Sequence, residues 1–356
     1  MTTQNTEAEK LYFIIGIGRS GTSILNKMLN GLRDVHCMPE AIFLVFFLSR
    51  FRHKSHFRKE DIECIFDQIY TYGLSHPWVG WSFDAVVAKE DIYERLQKQS
   101  ALSFGEICLV IYRHFRVQGY DKSSAKVLVD KNPSSTIFTD EILEQYPNTR
   151  FIWMVRDYRA NILSRKQSAS LRSPDVAYNA MRWRLYNTRA YRFSRRHPDR
   201  VLLVRYEELV SEYQLQMAKI TSFLGVSSDQ ETAPAPVVDI DAHNVAEKYR
   251  ERFSKKYSDL NRPVNADRLY SWKQHLSESE IMICDAICGK IAMKLGYEPV
   301  TDLPFYVKMQ VFCRHLPSII RGYADILKDR ILYKLPGSWK LKRLKKKYTE
   351  FGFIEK

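Results

Sequence analysis

Glycine, arginine and serine recur in this chain at spacings suited to holding oxyanions. In "FIIGIGRSGTSILNKML", Phe13 to Leu29, an apolar run gives way to Gly16, Gly18 and Gly21, interleaved with Arg19 and Ser20 and followed by Thr22 and Ser23. A G-x-x-x-x-G loop ordinarily continues with a lysine that reaches the β- and γ-phosphates of a nucleoside triphosphate, then a Ser or Thr that holds magnesium. Here Thr22 stands in the lysine's place, which disfavours triphosphate chemistry. The amides that open the following helix, the positive end of its dipole and the hydroxyls of Ser20, Thr22 and Ser23 still suit an anion. Arg19 adds a fixed, delocalised charge with several donors, matched to a planar or tetrahedral oxyanion. The loop alone leaves open a glycine-rich turn that binds nothing.

A second grouping lies in "RFIWMVRDYRANILSRKQS", where a strand pattern ends at Arg156 and Ser164 follows eight residues later. That spacing puts Ser164 about two turns into the next helix. Ligands of open α/β sheets sit beyond the carboxyl ends of the strands, so this arginine and hydroxyl could hold a second phosphate. Arg156 could instead pair with Asp157 or a neighbouring helix.

The elements that must position these groups are legible as patterns. "YFIIGI", "KVLVD", "RFIWMV" and "VLLVRY" are short, continuous apolar runs bounded by charged or turn residues, as expected of strands buried on both faces of a parallel sheet. Helical patterns cover 22–32, 60–72, 104–117, 137–145, 158–167, 175–196 and 211–224. The alternation predicts an α/β protein of three layers, α/β/α, around a central parallel sheet. After a Pro-rich stretch, "ETAPAPVVDIDAH", the pair Ser277 and Glu280 forms a capping box that announces a further helix. This reading gives a flexible N-terminus over 1–10, a core domain over 11–299 and a basic amphipathic extension over 300–356. No internal repeat is visible.

The composition narrows the class of protein. With 45% hydrophobic and 13% aromatic residues in 356, disorder is excluded. Fifty-five basic against 41 acidic residues leave +14, which implies an anionic partner without naming it. Six cysteines without C-x-x-C pairs indicate neither a zinc site nor a disulfide framework, and Cys284 and Cys288 fall on one helix face. The polar opening "MTTQNTEAEK" and the shortness of "AIFLVFFLS" point to a cytoplasmic, reduced protein, with that run as a core helix. From Val300 to Lys356 there are thirteen basic and five acidic residues. Mixed with aliphatic and aromatic side chains, they suit a helix lying on an anionic membrane surface, peripheral on its inner face, or a solvated helix packed on the domain.

Two oxyanion groupings without the lysine resemble the sulfotransferases that use 3′-phosphoadenosine 5′-phosphosulfate, over about Leu11 to Pro299. "GIGRSGTS" is similar to the family's 5′-phosphosulfate loop, "RDYRANILS" to its 3′-phosphate motif, and "LLVRYEELV" to a strand of the same fold. "RPVNADRLYSWKQHL" with "LGYEP" resembles the C-terminal block of the tyrosylprotein and bacterial glycan branches. The resemblance implies a P-loop-NTPase-like sulfotransferase fold, that donor, its bisphosphate product, and no required metal. It assigns donor contacts to Arg19, Ser20, Gly21, Thr22, Ser23, Arg156 and Ser164. Catalysis falls to Arg19 at the leaving oxygen, Lys131 of "VLVDKNPSS" beside the sulfonate, and Glu40 of "HCMPE" as general base.

Alternatives stand beside several of these assignments. Glu40 could cap a helix beginning at Ala41, Lys131 could pair with Asp130, and Tyr206 could fill the core instead of meeting the adenine. The family's steroid-type histidine and R-K-G motif are absent, and His36 and His76 suit core or surface positions better than that of a base. Ser271 precedes Trp272 where the tyrosylprotein branch has a lysine, leaving Ser258, Arg268 or Lys273 to complete the donor contacts. The acceptor is expected to be a hydroxyl of a carbohydrate or glycolipid, with protein tyrosine as the alternative. Trp78 and Trp81 would stack on it or pack in the core. A P-loop kinase and a nucleic-acid-binding protein are the competing classes; no nucleic-acid partner is expected. Adenosine 3′,5′-bisphosphate should therefore raise the melting temperature while ATP with magnesium does not; the reverse in a thermal-shift measurement would restore the kinase reading.

Overall fold

The computed structural model describes residues 10–75, 81–99, 101–117, 122–123, 125–168, 173–227 and 269–335, with 339, 342 and 346. The chain runs β1 (Lys10–Gly16), α1 (Thr22–Asn30), β2 (Val35–Met38), α2 (Phe43–Phe51), α3 (Lys59–Ser75), β3 (Trp81–Phe83), α4 (Ala85–Lys98), α5 (Phe104–Arg113) and β4 (Phe115–Val117). It continues with β5 (Val127–Lys131), α6 (Thr139–Gln145), β6 (Phe151–Val155), α7 (Tyr158–Lys166), α8 (Val176–Arg196), β7 (Val201–Arg205), α9 (Tyr206–Ser211) and α10 (Tyr213–Leu224). The last described elements are α11 (Trp272–His275), α12 (Glu278–Lys294), α13 (Phe305–Arg314) and α14 (Leu316–Lys334).

Five strands form one parallel sheet in the order β2-β5-β1-β6-β7. Their continuous apolar runs are required because both faces are covered. On β1, Leu11, Phe13 and Ile15 enter one core with α2, α5, α7, α8 and α12, while Tyr12 and Ile14 enter another with α1, α9 and α10. Two-residue periodicity thus divides one strand between two cores, giving the expected three layers.

"AIFLVFFLS" forms α2 inside the larger core, where Phe43, Phe47 and Phe51 are fully buried and the rings of Phe47 and Phe51 stack at 5.3 Å. The expected capping box forms on α12, with the Glu280 amide donating to Ser277 Oγ at 3.3 Å and Glu280 Oε2 accepting from the Ser277 amide at 3.0 Å. The helix expected over 104–117 is shorter. It ends at Arg113, and Phe115–Val117 pairs antiparallel with Trp81–Phe83. Phe115 stacks on Phe83 at 4.5 Å, a cross-strand packing that overrides local helical preference. Strand β2 and helix α4 have no counterpart in the expected pattern.

Beyond Pro299 the chain returns to the domain. Gly322 of α14 lies against Met181 and Tyr178 of α8, and Ile319 is buried in the larger core. Phe47→Ala should lower unfolding stability by about 3–5 kcal/mol, read as an earlier urea midpoint at unchanged slope; a shift below 1 kcal/mol would contradict its place in the core.

Candidate active site

Each of the five parallel strands delivers a candidate residue at its carboxyl end. Arg19 follows β1, Glu40 follows β2, Lys131 ends β5, Arg156 follows β6 and Tyr206 follows β7. The helices after β1 and β6 lie on opposite faces of the sheet, since α1 packs in one core and α7 in the other. Adjacent strands whose connections leave in opposite directions open a crevice between them, and Arg19 and Arg156 stand on its two sides.

The loop at this crevice is fixed by contacts that exclude side chains. Gly16 has φ +137°, and a Cβ there would fall 2.3 Å from the carbonyl oxygen of Met154 on β6. Its amide donates to Thr136 Oγ1 at 2.8 Å. Gly21, at φ +89°, precedes α1, and a Cβ on it would lie 2.4 Å from the ring of Tyr206. Arg19 takes a left-handed φ of +75° without being glycine, a conformation that costs roughly 1–2 kcal/mol and calls for surrounding restraint.

That restraint comes from one face of α7. Asn161 Nδ2 donates to the Gly18 carbonyl at 3.2 Å and to Ser20 Oγ at 3.0 Å, and Ser164 Oγ accepts from Arg19 Nε at 2.9 Å. Arg165 donates from Nε to Asn179 Oδ1 at 3.0 Å, while its Nη1 faces the open side of Gly18. Residues 161, 164 and 165 share that face because they are three and four positions apart. Sequence reasoning found Ser164 and missed Asn161 and Arg165, although both lie inside the same motif and the helical spacing was there to be used.

Arg156 is held by aromatic groups. Its guanidinium lies 4.6 Å from the Tyr206 ring centroid, its carbonyl accepts from Trp183 Nε1 at 3.1 Å, and its Nη1 is 3.5 Å from the Arg19 carbonyl. Asp157 takes other partners: it caps α7 and pairs with Arg159, whose guanidinium stacks 4.1 Å from the Trp272 ring. Tyr206 is buried and packs between Gly21 and Arg156, which is the core position of its two expected alternatives. Ser20 is also buried and works as an internal brace, while Thr22 and Ser23 open α1.

The electrostatics of this cluster favour an anion. Helix α1 has no side-chain cap and no acid in its first turn, unlike α7, which Asp157 caps. Burial lowers the Arg165 guanidinium to about 10, with the like charges of Arg182 and Arg19 adding to the effect. Burial likewise lowers Arg156, against the influence of Tyr206 and Glu207. Guanidinium groups gathered beside an uncapped helix start would be relieved by a bound oxyanion.

Across the sheet, Lys131 Nζ donates to Glu40 Oε2 at 3.0 Å. Met38 and Asp130 are register partners on β2 and β5, so the ends of adjacent strands bring this pair together. The Lys131 side chain is 8% exposed and that of Glu40 is 41% exposed. A neighbouring cation, not burial, therefore defines the carboxylate's surroundings. Glu40 does not cap α2, which starts at Phe43 with Ile42 at its N-cap and no side-chain cap.

Trp81 stacks on the buried His36 ring at 5.7 Å, so both serve the core. Lys273 lies over the rings of Tyr270 and Trp272. Ser258, Arg268, His76, Trp78 and the stretch "ETAPAPVVDIDAH" lie outside the described residues.

The sulfotransferase family model matches residues 12–230. The chain is 24% identical over 306 residues to a putative protein-tyrosine sulfotransferase of Caenorhabditis briggsae, covering 84% of this chain and 92% of that protein. It is 26% identical over 323 residues to the protein-tyrosine sulfotransferase of Drosophila melanogaster, covering 88% of this chain and 56% of that one. The sulfotransferase domain of the Synechococcus PCC 7002 olefin synthase shares the fold with a TM-score of 0.53 at 20% identity, covering 85% of this chain and all of that domain. With the loop and sheet already described, the family match assigns the class: the chain belongs to the sulfotransferase family and is a sulfotransferase enzyme.

Behind the pair, Asp130 is fully buried and accepts from the Tyr112 hydroxyl at 2.8 Å. Burial raises its carboxyl from 3.8 to about 7, against the opposing influence of that hydrogen bond. The native state then keeps a proton that the unfolded chain releases, so this group's contribution is full below pH 3.8 and falls as pH rises toward 7. The loss amounts to about 4 kcal/mol. Asp130→Asn should flatten urea-derived stability across that interval; an unchanged slope would show that Asp130 is ionised in the native protein.

Proposed function

We propose that this enzyme moves a sulfuryl group from 3′-phosphoadenosine 5′-phosphosulfate to the phenolic hydroxyl of a tyrosine in a protein or peptide. The observation that carries the reading is the bond from Arg19 to Ser164, which joins the helix-start loop to the second oxyanion motif as one continuous site. The donor supplies, when bound, an activated sulfuryl group on a phosphate oxygen. The residues present fit it. Gly18 is open where a Cβ would meet only Arg165, at 3.9 Å. The start of α1 with Thr22, Ser23 and Arg19 suits the phosphosulfate, and Arg156 with Ser164 suits the 3′-phosphate.

In this reading Glu40 accepts the proton of the acceptor hydroxyl. Lys131 orients that carboxylate and presents a cation beside the transferred group, while Arg19 sets its fixed charge where the leaving oxygen develops negative charge. Positioning and electrostatics carry most of the work, as in phosphoryl transfer.

Two considerations favour tyrosine over the carbohydrate or glycolipid expected from the sequence. The curated relatives cited above are named as protein-tyrosine sulfotransferases. A phenol, with a pKa of about 10, yields its proton to a carboxylate far more readily than an aliphatic sugar hydroxyl does.

A sulfate-labelled donor offered to tyrosine peptides, their phenylalanine counterparts, glycans and glycolipids tests the acceptor. Label confined to tyrosine peptides is expected, and label on glycans alone would overturn it. Glu40→Gln should lower kcat by about 10²–10⁴-fold while leaving bisphosphate binding within about twofold. Arg156→Ala should weaken the bisphosphate by about ten- to a hundredfold. Normal turnover by the first variant would remove Glu40 from the mechanism.

A further inference from the structure

Helix α14 has two faces of different character. Its inner face is anchored on α8 and α6: Ser318 donates to Asp175 at 2.5 Å, the Tyr178 hydroxyl donates to Asp325 at 2.6 Å, and Arg330 donates to Glu141 at 2.8 Å. Away from these contacts, Leu316, Ile320, Tyr323, Leu327 and Ile331 are each 49–57% exposed. At 3.6 residues per turn they fall within roughly 80° of one another, so they form one continuous apolar stripe. A stripe over four turns exceeds the scattered apolar residues that any surface carries.

The charges on the helix are sorted in the same way. Its two acids are turned to the protein, Asp325 toward Tyr178 and Arg182 and Asp329 also toward Arg182. Arg321, Lys328 and Lys334 are exposed. Residues 336–356, which continue from the end of the helix, add seven basic and two acidic residues. An apolar stripe bordered by cations and cleared of acids is complementary to an anionic lipid surface. A second copy of this chain is a poorer occupant, because docking stripe to stripe would bring Arg321, Lys328 and Lys334 of the two copies together. No described helix is long and apolar enough to cross a membrane, so the mode is lying on the surface.

We infer that α14 is a lipid-docking helix: the stripe Leu316, Ile320, Tyr323, Leu327 and Ile331 seats at the headgroup boundary of an anionic bilayer, with Arg321, Lys328 and Lys334 on its phosphates. The inference is independent of the acceptor, since α14 contributes none of the proposed catalytic or donor-binding residues.

Flotation of the full chain with phosphatidylcholine vesicles, with and without about one third phosphatidylglycerol, tests it. Wild type should float with the anionic vesicles and not with the neutral ones. Ile320→Asp with Leu327→Asp should weaken vesicle binding at least tenfold, and Arg321→Glu with Lys328→Glu should weaken it by about twenty-five-fold or more, at about fivefold per cation. Ile320→Ser with Leu327→Ser, a milder pair, should fall between. Bisphosphate thermal shifts should be unchanged in all three, which separates lost docking from lost folding. Wild type that stays unfloated, or floats equally with neutral lipid, would overturn the inference, as would aspartate variants that float like wild type. Sedimentation showing a wild-type dimer that the aspartate pair dissociates, without vesicle binding, would assign the stripe to a second copy instead.

Discussion

The hydrogen bond from Arg19 to Ser164 ties together segments 145 residues apart and sets what the rest of the site can do. Arg19 reaches it only from a left-handed backbone, a conformation that L-residues adopt at a cost. The cost is offset by neighbours that leave the loop no alternative path: Met154 against Gly16, Tyr206 against Gly21, and Asn161 bound to both Gly18 and Ser20. Strain held at one residue by surrounding contacts is a form of preorganisation. Any anion that enters meets donors already aimed.

The sheet makes those neighbours available. Because β1 is central, with β5 on one side and β6 on the other, the loops that carry Arg19, Lys131 and Arg156 leave from three consecutive strands. Strand spacing of about 4.8 Å keeps them within the reach of one elongated ligand. Glu40 comes from β2 on the far side of β5 and meets Lys131 across that strand pair. The candidate base and the candidate phosphate donors are thus on opposite sides of Lys131, the order that an in-line transfer past a central cation calls for.

The strands and the glycine loop were legible in the sequence because their causes are local. Short apolar runs rich in β-branched and aromatic residues between turn or charged residues suit buried strands of a parallel sheet, and glycines at Gly16 and Gly21 mark where a Cβ cannot stand. Strand β2 was hidden because its four residues include His36, whose buried ring stacks on Trp81, 45 residues later. The β3–β4 pair was hidden for the same reason, since Phe115 belongs to a helical pattern until Phe83 arrives. Within the site, residue types announced Arg19 and Arg156. The tertiary partners decided between alternatives: Lys131 drew Glu40 away from capping, and Arg159 drew Asp157 away from Arg156. Asn161 and Arg165 act through a helix face that becomes meaningful only once the loop lies against it.

The net charge of +14 is resolved by location into two populations with different physics. Around the crevice Arg156, Arg165 and Arg182 are largely withdrawn from solvent, held by aromatic rings and an amide oxygen, and depressed by burial in the cases of Arg156 and Arg165, while Arg19 is exposed. Such groups interact strongly with one enclosed anion and weakly with a polyanion passing outside. Arg321, Lys328 and Lys334 of α14, with Lys342 and Lys346 beyond it, are exposed, and their fields are screened within about 8 Å at physiological salt. The charge that looked in composition like one property of the chain therefore divides into an enclosed set beside the crevice and an exposed set on α14, which differ in how far solvent screens them.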